Sequence, residues 1–547
     1  MELPWLGLGL SANLDGRALP NPWQLHARFP DLFDFVEYSA PLSLAEARAQ
    51  APRMRELEEN RATLPALFHP VHLNLHGPQL ELARNLEALE AQVRELGSPW
   101  VGNDVGWWHH QGSAFPGYLY IPPSLDAQGL DDAVAHALHV QSALSVPLAL
   151  ENPAVVARRG SMHVLAFMAE LHARTGCPLI LDLGHLLAFQ LTAGLPVDAA
   201  LSELPLEAVI EIHLAGGVVS ARGERRFYVD DHTQPVREEL FGLLEQVLPH
   251  CKRLRAVCFE GDGHPPEIAL GTLRRLRALV PAFARDPLTL EPRPSKEKHT
   301  LSSEARSWKI FEALYGEREV HEDPEGHAAE TDHRLAVLAE SLDRAFPLTR
   351  LLTAGSRAQL LAFGRSPELR NFFDGTGREL AQCFAAFARR RVREKPDAGV
   401  EAALAFESWL LAQSSLPADP QLARGVRVAS FPSDLSELVF AARAVKRNLA
   451  GRAWGSERWD TAALESVAQA ARRPGAGPWW IAIRRSPEGI ETVNLDAELL
   501  GVLRAASAGA TLAELLAEPR HAEGAARAQR LGLLTSSGSP GSPQAAP

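Results

Sequence analysis

Residues 146–185, VPLALENPAVVARRGSMHVLAFMAELHARTGCPLILDLGH, contain two short apolar runs separated by one longer amphipathic stretch. The runs VPLALEN (146–152) and CPLILDLGH (177–185) have the length and uniform apolar character of buried parallel strands. Between them SMHVLAFMAELHARTG (161–176) repeats its apolar residues at helical spacing, as a helix covering a sheet must. Strand, helix and parallel strand together make a βαβ unit.

The same alternation extends in both directions. LPALFH (64–69), AVIEIHLAGG (208–217) and LRAVCFEGDG (254–263) repeat the strand pattern, and LELARNLEALEAQVREL (80–96) repeats the helix. So many units within residues 1–285 suit a closed (β/α)8 TIM-type barrel better than an open sheet, which makes the fold class α/β. RDPLTLEPRPSKEKHTLSS (285–303), rich in proline and charge, predicts a linker over residues 286–302. REVHEDPEGHAAETDH (318–333) reads as an acidic, solvated loop. Residues 303–535 predict a smaller α+β domain, helical with a hairpin and winged-helix-like. VRVASF (426–431) forms one of its strands, and WWIAIRRSPEGIETVNL (479–495) forms a hairpin with Pro487 and Gly489 in the turn. The tail SSGSPGSPQAAP (536–547) has the composition of a disordered segment.

Composition narrows the function. A net charge of −12 argues against a general nucleic-acid binder, which needs a basic face. No stretch approaches the about 18 uninterrupted apolar residues of a membrane span. The first residues, MELPWLGLGLSANLDG, lack the basic and apolar regions of a signal peptide. The cysteines Cys177, Cys251, Cys258 and Cys383 stand singly, without a CxxC pair, which predicts a reducing, cytoplasmic setting and no zinc–thiolate site.

In a barrel the active site lies where strands run out into loops at their C-terminal ends. Here LPALF ends on His69, PLAL on Glu151, PLIL on Asp182, VIEI on His213 and AVCF on Glu260. FYVDDH adds Asp230 and His232, two apart and so on one face of an extended chain, and PWVGND ends on Asn103 and Asp104. One such histidine is commonly a hydrogen-bonded structural residue; a whole series of strand ends finishing in His, Asp or Glu points to metal. Converging carboxylates repel unless cations hold them, and imidazole with carboxylate suits iron, manganese or zinc. The set exceeds what one four-coordinate ion uses, so two or three metals are implied. His72 and His76 in VHLNLHG have ligand, substrate-facing or plain loop roles open to them, while Asn74, Asn152 and Glu211 stand as neighbours of ligands or of substrate. The aromatic and imidazole run Trp107, Trp108, His109 and His110 lines a substrate groove or packs as a loop.

These segments resemble the multinuclear non-haem iron-dependent oxidases, the barrel family that includes the methanobactin-biosynthesis oxidase. FHPVHLNL, LALENPA, VIEIHLAGG, FYVDDHTQPV and CFEGDG follow the family's order and carry over His69, Glu151, His213, Asp230, His232 and Glu260 as ligands. Two departures stand out. GND places Asp104 where the family has the histidine of SEH, and LILDLGH keeps Asp182 but puts His185 in place of an asparagine. A ligand lost at one place and gained at another preserves the count, or else one metal site is altered. DxGH also occurs in sugar-isomerase and endonuclease IV barrels, which keeps a metal-dependent isomerase or phosphodiesterase open, as the two departures do a non-catalytic peptide-binding scaffold. The second half, through Phe406-Glu407-Ser408-Trp409 and WWIAIRR with VNLDAELLGVLRAASAGATLAELL, resembles the partner proteins of these oxidases. The resemblance implies two or three iron ions, O2 as co-substrate and a ribosomally made precursor peptide modified at a side chain, often cysteine. Peptide recognition would be supplied in cis by the fused C-terminal domain; neither nucleic acid nor membrane is a partner, and a homodimer is compatible with the pattern.

Overall fold

Eight parallel strands close into a ring in chain order: β1 (Gly7–Ala12), β2 (Phe35–Tyr38), β3 (Ala66–Phe68), β4 (Val101–Asp104), β5 (Leu148–Glu151), β6 (Leu179–Asp182), β7 (Val209–Ala215) and β8 (Ala256–Glu260). The computed structural model describes residues 2–280, 288–289, 301, 304–316, 322–412, 426–439, 475–486 and 489–534, apart from residues 17, 71 and 376. Helices follow each strand: α1 (Pro22–Arg28), α2 (Leu44–Gln50), α3 (Met54–Asn60), α4 (Ala83–Leu96), α5 (Ala127–Ala143), α6 (Val164–Thr175), α7 (Leu183–Ala193), α8 (Glu238–Val247) and α9 (Pro266–Leu279). The α/β barrel expected from the alternating pattern is therefore the fold. None of the described helices is long and apolar enough to cross a membrane.

The alternation of side chains along a strand places the site. Phe35, Leu67, Ala149, Ile180 and Cys258 pack with Trp100 in one buried apolar cluster that fills the barrel floor. Two residues further along, on the same side of each strand, come Glu37, His69, Glu151, Asp182 and Glu260. In β7 the register against β6 shifts between Val209 and Glu211, a bulge that lets Ile210 pack in the floor while Glu211 and His213 both turn inward. Gly102 in β4 has no room for a side chain: a Cβ there would lie 2.8 Å from His69 Cδ2 and 2.7 Å from Ile180 Cδ1.

By contacts the chain divides into two compact units, and the first runs past the barrel to Leu338 and takes in Arg370–Arg378. It thus includes α10 (Glu304–Gly316) and most of α11 (Pro324–Asp343), beyond the expected end of the barrel domain at residue 285. Trp308 of α10 meets Trp107 edge-on at 6.1 Å, and Phe311 stacks on Phe115 at 5.7 Å. Of residues 286–302 only 288, 289 and 301 are described, and Leu288–Thr289 pairs with Glu2–Leu3. The tail 536–547 lies outside the described residues.

The stretch 318–333, expected to be a solvated loop, is helical from Pro324. Two of its acids pair with arginines of the barrel unit, and Arg334 just beyond it is buried there too. Asp323 holds Arg225, Asp332 holds Arg222, and Arg334, only 2% exposed, pairs with Glu330 while donating to the carbonyls of Leu119 (2.8 Å) and Tyr120 (2.5 Å). His327 is buried, and burial lowers its pKa to about 4. Composition alone does not distinguish a polar helix with partners from a loop.

The second unit holds helices Pro347–Ala354, Arg357–Gly364, Leu380–Glu394 and Ala398–Ala412, followed by an antiparallel sheet of β9 (Arg427–Asp434), β10 (Gly475–Ser486) and β11 (Gly489–Asn494) with β10 central. Ser486 pairs with Gly489, so the expected hairpin forms; Gly489 begins its second strand and Pro487 lies outside the described residues. Helices Ala497–Ser507, Leu512–Ala517 and Ala522–Arg530 complete the unit around Leu499, Val502 and Leu515.

Candidate metal centre

His213, wholly buried on β7, stands at the middle of the barrel's carboxylates. Its Nδ1 lies 3.3 Å from Glu151 Oε1 and 3.8 Å from Glu260 Oε1; its Nε2 lies 3.3 Å from Glu37 Oε2 and 3.4 Å from Glu211 Oε1. Neither ring nitrogen makes a hydrogen bond in acceptable geometry, which is unusual for a buried imidazole. Glu151 reaches on to His69, whose Nε2 is 2.8 Å from Glu151 Oε2.

A second arm runs through His185, at the start of α7. Asp182 ends β6 and caps this helix by accepting from the His185 backbone N–H, so strand end and helix start bring both side chains to the site. His185 Nδ1 lies 3.6 Å from Asp104 Oδ1, 3.6 Å from Glu151 Oε1 and 3.8 Å from Asp182 Oδ1, and Nε2 lies 3.7 Å from Asp230 Oδ2. The hairpin Gly217–Arg222 and Arg225–Asp230 after β7 folds Asp230 back opposite Gly217. From there His232 Nε2 approaches Asp230 Oδ2 at 2.9 Å and Glu260 Oε2 at 3.8 Å, and its Nδ1 approaches Asp262 Oδ2 at 3.7 Å.

Four overlapping sets of donor atoms, each within 4.8 Å of one another, can hold a cation: His69, Glu151 and His213; Asp104, Glu151 and His185; Asp182, His213 and Glu260; and Glu37, Glu211 and His213. The fit to metal rests on three observations. Burial, with Glu151 nearby, pushes Asp104 up to about 7; burial pushes Asp182 up to about 6 and Glu260 up to about 8, the mark of carboxylates short of positive charge. Glu37 Oε2, Asp182 Oδ2, Glu211 Oε1 and Asp230 Oδ1 are buried without hydrogen-bond partners. Donor separations of 3.3–3.8 Å are long for hydrogen bonds. They are close to the ~3.0–3.4 Å between two ligands held at about 2.1 Å around one ion. No cysteine enters these sets among the described residues; Cys258, beside His213 across β7 and β8, is packed into the apolar floor. Imidazole with carboxylate suits iron, manganese or zinc.

All nine residues singled out from the sequence as ligands thus converge, and Asp104 and His185, the two departures, are neighbours. Among the remaining four, Glu211 lies beneath His213 and accepts from Trp100 Nε1 at 2.8 Å. Asn152 exchanges hydrogen bonds with the Asp182 backbone (2.9 and 3.0 Å), and its carbonyl is 2.9 Å from His185 Nδ1. His72, in left-handed backbone conformation at φ 67°, lines the cavity, and burial lowers its pKa to about 4. Asn74 points away from the donors and pins the next loop, accepting from Trp108 and His109 N–H and donating to the His109 carbonyl.

The donors open into a cavity of about 1330 Å³ walled by Trp108, His109 and Tyr120 from the loops after β4 and by Glu330, His333 and Arg334 from α11. Three of these participants escaped the sequence reading. Glu37 is a single acid in the apolar strand FVEY, and only closure of the barrel shows that it faces inward. Tyr120 donates to Asp104 Oδ1 at 3.1 Å from a loop without a motif. Arg334 follows directly on the stretch that reads as loop and carries no motif.

Residues 6–276 match the family model described as RiPP precursor modification enzyme MbnB/TglH/ChrH. A UPF0276 protein of Bordetella pertussis (strain Tohama I) is 34% identical over 260 residues, covering 46% of this chain and 88% of that protein. One of Vibrio vulnificus (strain YJ016) is 27% identical over 233 residues, covering 41% and 79%. Among solved structures, endonuclease IV from Thermus thermophilus aligns over 50% of this chain and 98% of that one, with 22% identity and a TM-score of 0.32. A xylose isomerase domain containing protein from Salmonella typhimurium aligns over 51% and 98%, with 11% identity and a TM-score of 0.34.

Proposed function

The chain belongs to the MbnB/TglH/ChrH family of RiPP precursor modification enzymes, and from that premise we propose that its barrel is a multinuclear iron, O2-dependent oxidase acting on a cysteine of a ribosomally made precursor peptide. The observation that carries the reading is the sharing of donors. Glu151 belongs to two of the four sets and His213 to three, so ions held there would be close neighbours. A single-ion isomerase site has no use for so many converging donors, and a scaffold that had lost a site would not keep Asp104 and His185 side by side.

Iron held here would supply the redox chemistry toward the thiol and O2. The chain supplies the rest. His69, Asp104, Glu151, Asp182, His185, His213, Asp230, His232 and Glu260 hold the ions; Tyr120 donates to Asp104 Oδ1, the oxygen that faces His185, and so fixes the angle of that carboxylate. The apolar floor excludes water from below, and Trp108 with Tyr120 forms a wall against which a peptide side chain is oriented. In the second unit β9 and β11 flank β10, and an extended peptide adds to such an edge by backbone hydrogen bonds.

The test is oxygen consumption by iron-loaded protein on addition of a cysteine-bearing precursor peptide, with the product mass measured. O2 uptake with a changed peptide mass, both abolished by replacing the peptide cysteine with serine, supports the reading. Turnover without O2, or equal turnover with zinc, contradicts it.

A further inference from the structure

His213 lies between two pairs of carboxylates, and Glu37 of the lower pair lines the cavity together with Glu151 and Glu260. On the upper side Nδ1 looks to Glu151 and Glu260; on the lower side Nε2 looks to Glu37 and Glu211. A neutral imidazole has one N–H and one lone pair, and its surroundings decide which nitrogen carries which. Glu211 already accepts from Trp100 Nε1 through Oε2. Glu37 Oε2, 3.3 Å from His213 Nε2, has no hydrogen bond of its own although it is buried. It comes from β2, across the ring from β7, so no local chain geometry forces it there.

We propose that Glu37 is a positioning residue of the metal centre: it accepts the Nε2 proton of His213 and so commits the Nδ1 lone pair to the ion shared with Glu151. Carboxylates behind metal-bound histidines fix tautomer and ring angle in this way, and losing one costs about 10–100-fold in metal affinity. This rests on the reading of the cavity as a metal centre. The competing arrangement makes Glu37, Glu211 and Nε2 a cation site of their own, with Glu37 as a ligand.

Glutamine and leucine at position 37 separate the two. The full chain is titrated anaerobically with Fe2+ against a chromophoric chelator, and the visible bands of the Co2+-loaded protein are recorded. Glu37→Leu, which removes the acceptor, is expected to weaken one ion by about 10–100-fold and to shift the Co2+ bands. Glu37→Gln, whose amide oxygen accepts the same proton, is expected to bind the full number of ions within about threefold of wild-type affinity, with a smaller band shift. Binding by the leucine variant equal to wild type overturns the proposal, as does loss of a whole ion from the glutamine variant. If the leucine variant does not fold, the glutamine variant decides: full stoichiometry with shifted bands supports positioning, and unshifted bands or a lost ion overturn it. A wild-type chain that takes up neither metal sinks the metal-centre reading and this role with it; a wild type that loads while the variants disagree sinks this role alone.

Discussion

His185 Nδ1 stands 3.6 Å from Asp104 Oδ1, and each of these side chains lies in one donor set with Glu151. In the family pattern that the sequence resembles, a histidine occupies the first position and an asparagine the second. Here the imidazole stands at the start of α7 and the carboxylate at the end of β4, two strands apart in the ring, an arrangement that would keep the donor count if both serve one ion.

The exchange predicts a compensated pair. If the two side chains share one ion, Asp104→His or His185→Asn alone should lower metal affinity at least tenfold, whereas the double substitution should recover most of it. Metal titration of the four proteins measures the coupling. Losses that simply add would show that the two residues serve separate ions.

His213→Ala should empty much of the centre while leaving the barrel folded, since the floor of Phe35, Leu67, Trp100 and Ile180 is untouched. Far-ultraviolet circular dichroism should be unchanged and iron content should fall. The melting temperature should also drop, because removing one partner of a buried charge cluster typically costs about 3–5 kcal/mol. Unchanged iron content would refute the ligand role.

The helices after the barrel should prove part of its stability. A chain ending at residue 302 loses Trp308, Phe311 and Arg334, exposing Trp107 and Phe115 and freeing the Leu119 and Tyr120 carbonyls. It should melt lower and aggregate more readily than a chain ending at residue 343, which keeps these partners and stops before the remaining helices of the second unit. Equal melting temperatures would show the helices to be dispensable to the barrel.

Glu407 gives the second unit a pH dependence. Its carboxylate accepts from the backbone N–H groups of Leu348 (2.6 Å) and Thr349 (2.9 Å), yet burial outweighs these bonds and raises its pKa from 4.5 to about 7. Between these values the folded state keeps a proton that the unfolded chain has released, so stability falls as pH rises through the window and levels off above it. The contribution is on the order of 3 kcal/mol from pH 4.5 to 7. Denaturation of the full chain followed by tryptophan fluorescence, compared between wild type and Glu407→Gln, isolates it. The variant should lack this part of the slope, and identical slopes would contradict the assignment.

What the sequence made legible follows from where each signal lies. Strand-end ligands such as Glu151, Asp182 and His213 are readable because each closes an apolar run, and a barrel gathers such ends at one mouth. Glu37 lies inside its run, where alternation alone leaves the inward side undefined until the ring closes. Glu211 shares the parity of His213, but the bulge after Val209 that turns both inward while sending Ile210 to the floor has no sequence mark. Arg334 lies in α11 and Asp323 directly precedes it, and both are satisfied by distant residues of the barrel unit, a relationship that no local pattern records.

Mössbauer spectroscopy with elemental analysis, on protein grown in iron-enriched medium and purified without chelators, tests for the proposed cluster of iron ions. Two or more irons per chain, magnetically coupled and changed by exposure to O2, is the predicted result; zinc or manganese alone, or a single uncoupled ion, would contradict it.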